Sequence, residues 1–105
     1  MDNEQKQPLE AAEVYTFAKP FKYEGEEVKA ITLDFDTLIG DDILTCDRQY
    51  RAESKGGAAL APEMDKAYQA YIVAKAAGVH VGLVRAASAK DFTRLTLRAR
   101  NFLLL

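Results

Sequence analysis

Cysteine is almost absent from this sequence, and Cys46 stands alone. A single thiol closes no internal disulfide, so a reducing compartment is the expected setting. Histidine is equally scarce, with His80 the only one. Histidine is the usual general base and metal ligand, but here it has neither a second histidine nor a cysteine cluster beside it. Long hydrophobic runs are missing too: no stretch approaches the ~20 apolar residues of a membrane-spanning helix. The first eight residues, Met1 to Pro8, are polar and contain no apolar signal-peptide segment, so the expected location is the cytoplasm. Neither charge sign dominates. The net charge is -2 and the pI about 5.4, whereas a nucleic-acid binder reads strongly basic as a whole. Gly56-Gly57 has no following Lys-Ser or Lys-Thr to make a phosphate loop. No repeat at solenoid periods and no low-complexity tract is present.

What is present is an ordinary globular composition, 49% apolar and 29% charged over 105 residues, which predicts one domain. Residues 1–12 read as a flexible arm and 13–105 as a single α+β domain. Val14-Tyr15-Thr16-Phe17 is rich in strand formers, and Pro20 places a bend or an edge in that strand. Glu24-Gly25 reads as the turn of a hairpin over 14–35. In the return strand Ile31, Leu33 and Phe35 share a face and Val28 does not, so a bulge or twist is expected near Lys29. A first helix is expected over about 38–53, with Thr37 as N-cap and Ile39, Ile43, Cys46 and Tyr50 as its apolar stripe. Asp41 and Asp42 lie early in it and Arg48 and Arg51 late, the order the helix dipole favours. A second helix is expected over about 62–77, opening at Pro62 and closing at Gly78, with Met64, Tyr68, Tyr71, Ile72 and Val79 forming its stripe. His80 to Ala87 reads as a short helical turn or packed loop. Ser88-Ala89-Lys90-Asp91 resembles a capping box opening a third helix over about 89–103. Phe92, Leu95, Ala99, Phe102 and Leu103 line one face of that helix.

Four features carry possible chemistry. Asp34 and Asp36 bring two carboxylates to a strand end, as a hard cation needs, but without the glycine and terminal glutamate of a calcium loop. Solvated acids beside a helix start are the plainer reading, and no metal or other cofactor is expected. Cys46 and His80 form the only nucleophile–base combination; on an apolar stripe, however, a cysteine behaves as a small hydrophobe. Lys90, Arg94 and Arg98 recur at i, i+4 and i+8, with Arg85 and Arg100 nearby. A basic helix after a turn can enter a major groove, or it can complement an acidic partner. Finally, Leu104 and Leu105 extend the apolar face past its end, as a partner site would.

Taken together, the hairpin Phe17 to Leu33 resembles the opening of the tail assembly chaperones of contractile-tailed phages and prophages. Its residues follow their Pro, hydrophobic, Gly, Val, Leu spacing through Pro20, Phe21, Tyr23, Gly25, Val28 and Leu33. Ala76-Ala77-Gly78-Val79, Asp91-Phe92 with Leu95, and the closing Phe102-Leu103 resemble later family motifs. Ala18 stands where a leucine is commoner, and Asp34 where a basic residue often follows. The resemblance implies a non-enzymatic α+β protein that binds the tape-measure protein, keeps it soluble and helps recruit tail-tube subunits. It implies a cytoplasmic protein absent from the finished virion. Lys90, Arg94, Arg98, Phe102, Leu104 and Leu105 are the expected partner-binding residues, and a homo-oligomer is compatible with the apolar stripes. The alternative is a small DNA-binding regulator that uses the basic C-terminal helix.

Overall fold

A computed structural model describes residues 12–105 of the chain; the expected arm over 1–12 lies almost wholly outside the described residues. The architecture is α+β, with an N-terminal antiparallel hairpin followed by four helices and two short 3-10 turns. Strand β1 spans Glu13–Tyr23 and β2 spans Glu26–Leu33. They are joined at Glu24-Gly25, where both residues have positive φ, 52° and 83°. That is the twist-compatible two-residue turn, and glycine supplies its second position without strain. Helix α1 spans Gly40–Ser54, α2 Lys66–Ala77, α3 Val81–Ala86 and α4 Ala89–Leu104.

The hairpin's inner face supplies Tyr15, Phe17, Ile31 and Leu33 to the core, all buried. Full burial of side chains such as these stabilises by roughly 1.5–3 kcal/mol each. The expected irregularity near Lys29 is there: Thr16 pairs with Ala30 and Phe21 with Val28. Phe17 to Pro20 on β1 therefore stand opposite Lys29 alone. The bulge turns Phe21 and Val28 back toward the core, against which both are packed. Tyr15, Phe17 and Phe21 form successive edge-to-face contacts at 5.3 and 5.2 Å.

A bulge of this size strips β1 of ladder acceptors, and the part-buried N–H groups of Ala18 and Lys19 need others. Asp91 of α4 provides them. Its carboxylate accepts from the Ala18 N–H at 2.9 Å, the Lys19 N–H at 3.1 Å, the Tyr15 hydroxyl at 2.6 Å and the Ser88 hydroxyl at 2.8 Å. Pro20, next along, has no N–H to satisfy. Ser88 caps α4 as expected, its hydroxyl accepting from the Asp91 N–H at 3.2 Å. The carboxylate, however, takes the Ser88 hydroxyl and β1 instead of the Ser88 N–H that a capping box would give it. Desolvation works to raise the Asp91 pKa, but the hydrogen bonds from Tyr15, Ala18, Ser88 and Lys19 prevail and hold it at about 2. Burial first, and this hydrogen bond second, push the Tyr15 hydroxyl upward, so it stays a donor.

Several boundaries differ from expectation. The hairpin ends at Leu33, and Phe35–Thr37 forms a 3-10 turn. Thr37 does not cap α1; its hydroxyl donates to the Asp34 carbonyl at 2.8 Å. The N-cap is Ile39, whose N–H donates to the Asp42 carboxylate at 2.9 Å, so Ile39 lies outside the buried stripe and is exposed. Pro62 opens a 3-10 turn, Pro62–Met64, and α2 begins four residues later behind Asp65. The carboxylate of Asp65 accepts from the Ala67 N–H at 2.8 Å and from the Tyr50 hydroxyl at 3.0 Å. The residues 80–87 contain α3.

Helix α2 is the centre of the molecule, touching β2, α1, α3 and α4. Tyr68, Gln69, Ala70, Ile72, Val73, Ala74 and Ala76 are all buried, far more than the single stripe expected. Alanines at 70, 74 and 76 let neighbours approach closely on several sides.

Candidate protein-interaction site

The expected partner-binding residues lie on α4, with Leu105 just past its end, and the structure divides them. Lys90, Arg94 and Arg100 are exposed. Arg98 is half-buried and spent inside the molecule. Its guanidinium pairs with both carboxylate oxygens of Glu13 at 3.0 Å and lies 4.8 Å from the centroid of the Tyr15 ring. It thus ties the first residue of β1 to α4, and the expected three-residue basic stripe is interrupted at its C-terminal member. Arg85 is occupied in the same way. It contacts Glu53 at 2.6 and 2.7 Å and lies over Tyr71 at 5.5 Å. Tyr71 donates to that same Glu53 at 2.6 Å. The Tyr71 hydroxyl first, and Arg85 second, hold the Glu53 carboxyl below its ordinary range.

The apolar members also divide. Phe102 stacks on Phe35 at 5.1 Å, with one face left to solvent, and Leu103 packs on the core. Leu104 is 47% exposed and Leu105 97% exposed. Leu97, outside the expected set, is 47% exposed. It stands seven residues before Leu104 and therefore on the same side of the helix. The 3-10 turn Pro62–Met64 packs against α4, and Met64 on that turn is also exposed. The outward side of α4 thus alternates leucine with arginine, Arg94, Leu97, Arg100 and Leu104, and ends in uncovered apolar side chains. Such a surface can bury an apolar ridge of a partner while its guanidiniums reach carboxylates at the rim. The signal available in sequence was the i, i+7 spacing of Leu97 and Leu104 on the face opposite Leu95 and Ala99.

Two tyrosines of the expected α2 stripe are engaged inside the molecule. Tyr68 is buried edge-on against Tyr50 at 5.6 Å, and burial pushes its hydroxyl up to about 12. Tyr71 is half-buried in the Glu53 knot.

The remaining chemical candidates resolve as follows. Cys46 is buried, its thiol donating to the Tyr71 carbonyl at 3.5 Å. Desolvation pushes it up to about 11. That keeps it a thiol at neutral pH, the opposite of what a nucleophile needs. His80 lies at the start of α3 and its Nδ1 accepts from the Gly82 N–H at 2.9 Å. It also lines a cleft of about 370 Å³ with Thr45, Gln49, Tyr71 and Lys75. Asp34 and Asp36 belong to no group of three or more His, Cys, Asp or Glu side chains placed to hold a metal among the described residues. No helix among them is long and apolar enough to cross a membrane. No family model, no curated protein and no solved structure matches this chain.

Proposed function

We propose that this chain is a tail assembly chaperone that holds a tape-measure protein through the outward face and apolar end of α4. The observation that carries the reading is the uncovered set Leu97, Met64, Leu104 and Leu105 beside Arg94 and Arg100. A holding protein needs accessible apolar area that a long, aggregation-prone helical partner can cover. The interleaved arginines add steering toward acidic partner segments. The hairpin with its proline in the bulge and glycine in the turn, the features behind the family resemblance, supports the same reading. In this proposal the protein acts in the cytoplasm, also engages tail-tube subunits, and leaves before the virion is complete.

A DNA-binding regulator draws less support. Of the five basic residues that suggested it, Arg85 and Arg98 are held by Glu53 and Glu13, which shortens the run available to phosphates.

The test is co-expression with a tape-measure reading frame of a contractile-tailed prophage, scored by the soluble, co-purifying fraction. Recovery of a complex that falls at least several-fold with Leu97→Asp plus Leu104→Asp supports the reading. Absence of rescue by a folded wild-type chain, together with strongly salt-dependent binding to duplex DNA, overturns it in favour of the regulator.

A further inference from the structure

Among the described residues the sheet has two strands, so each has an outer edge, and the two edges are built differently. That of β1 is broken by the bulge, carries Pro20, and gives the N–H groups of Ala18 and Lys19 to Asp91. Bulges, prolines and covering side chains are the usual protections of an exposed edge. β2 contains no proline. Beside it runs an open groove of about 510 Å³, lined by β2 from Glu26 through Ile31, by Tyr23 and Glu24 at the tip, and by Val79 and Leu83. A groove against one face of a strand meets alternate residues, because side chains alternate sides. This one meets six consecutive residues of β2, core-facing Val28 and Ile31 as well as exposed Glu26, Glu27, Lys29 and Ala30, as a groove running along the strand's edge does. Its volume lies within the roughly 300–1,000 Å³ of ligand-accepting clefts.

The groove's chemistry specifies its occupant. Val28, Ile31, Val79 and Leu83 supply apolar lining, and Glu24, Glu26 and Glu27 stand against a single cation, Lys29. None of these three carboxylates has an ion-pair partner among the described residues. Lys22 is opposite Glu27 in the ladder but does not line the groove. We infer that the outer edge of β2 accepts an extended segment of a partner protein by strand addition, the segment carrying lysine or arginine among alternating apolar residues. Main-chain hydrogen bonds to β2 supply affinity. The apolar lining takes every second side chain, and the glutamates select the basic ones. About six residues suffice, since Glu26 to Ile31 spans roughly 20 Å at ~3.3 Å per residue. The site is separate from the α4 surface and stands whether or not the chaperone reading holds.

The test uses the described protein and three synthetic peptides in NMR titrations: Lys-Val-Thr-Val-Lys-Val, the same peptide with both lysines replaced by glutamate, and the lysine peptide N-methylated at alternate amides. The expected result is saturable shifts of the amides of residues 26–31 and of the Val79 and Leu83 methyls with the lysine peptide. The glutamate peptide should bind at least about tenfold more weakly, and the N-methylated one should not bind. Glu26→Gln with Glu27→Gln, at two exposed positions, should weaken the lysine peptide by a similar factor and erase its advantage over the glutamate one. Equal binding of all three peptides overturns the inference. So does shifting confined to α4, or no shift at about 1 mM peptide, the limit of meaningful affinity. Concentration-dependent protection of β2 amides without peptide overturns it as well, by assigning the edge to a second copy of the chain.

Discussion

Helices α2 and α4 both open beside an aspartate that takes a tyrosine hydroxyl from an earlier element. Asp65 serves its own helix. It caps Ala67, and its tyrosine, Tyr50, lies fifteen residues back at the end of α1 and accepts from the Ala59 N–H at 2.8 Å. Asp91 serves a distant strand. Its tyrosine is 76 residues away, and two further bonds come from the main chain of a bulge. The first arrangement closes a local loop around a half-buried aspartate; the second centres on a fully buried one and fixes the first described strand to the last helix. The same two side chains are an ordinary cap when near in sequence and a tertiary lock when far apart.

The sharpest test of that contrast is Asp91→Asn. It leaves one acceptor oxygen and sets an NH2 group against donors, so either the Tyr15 hydroxyl and Ala18 N–H or the Ser88 hydroxyl and Lys19 N–H lose their acceptor. We expect a loss of about 3 kcal/mol, which for a domain of this size lowers the melting temperature by roughly 10–20 °C. Asp65→Asn, measured beside it by urea unfolding, should cost about 1 kcal/mol, because asparagine caps Ala67 as well as aspartate does and only the bond from Tyr50 is lost. Equal losses would erase the distinction.

Acid unfolding sharpens it further. The Asp91 pKa is depressed when folded, to about 2, against roughly 3.9 unfolded. Its contribution is therefore complete above about pH 5 and is lost as pH falls through about 2. The stability gap between wild type and Asp91→Asn should narrow steadily below pH 4 in urea titrations. A gap that stays constant down to pH 2.5 would show that the carboxylate's charge is not what the bulge needs.

Tyr50→Phe is expected to cost about 1 kcal/mol, since it orphans the Ala59 N–H and removes a donor from Asp65. The loss should appear as faster amide exchange over residues 56–60, with little change in β1. The smallest effect is at the hairpin tip. A Cβ at Gly82 would lie 2.5 Å from the Tyr23 hydroxyl oxygen and 3.0 Å from His80 Nδ1. Both belong to side chains that can move, and alanine favours the helix by up to ~1 kcal/mol. Gly82→Ala alone should thus be close to neutral in thermal unfolding. Combined with Tyr23→Phe, which removes the nearest atom, it should be stabilising relative to Tyr23→Phe alone. A large loss in both backgrounds would mean that the tip is gripped as firmly as the bulge.

The contrast also marks where sequence reading succeeds. The turn at Glu24-Gly25, the irregularity near Lys29 and the Ser88 cap are local grammar, and all are present in the fold. The role of Asp91 was hidden because two of its four partners are main-chain amides, which no side chain announces, on a strand more than 70 residues away. Arg98 belongs to the same class: its i, i+4, i+8 spacing with Lys90 and Arg94 describes a helix face but says nothing of Glu13 arriving beside it. For α2 the failure is different. A helix enclosed on several sides has no polar face to contrast with its apolar one, so a stripe drawn through Tyr68 and Ile72 understates what is buried. Leu97 was legible by spacing and was obscured by the basic residues on either side of it.

The bond between Tyr15 and Asp91 also sets a clock for the newly made chain. Ala18 and Lys19 leave the ribosome well before the aspartate that will receive their amides. At about 5–20 residues per second, the 73 residues between Ala18 and Asp91 take roughly 4–15 s to synthesise. Until then the hairpin has its turn but not its anchor, and both strand edges are open to other chains. Anchoring of β1 therefore waits on translation of the start of α4, and the nascent hairpin stands without it for those seconds.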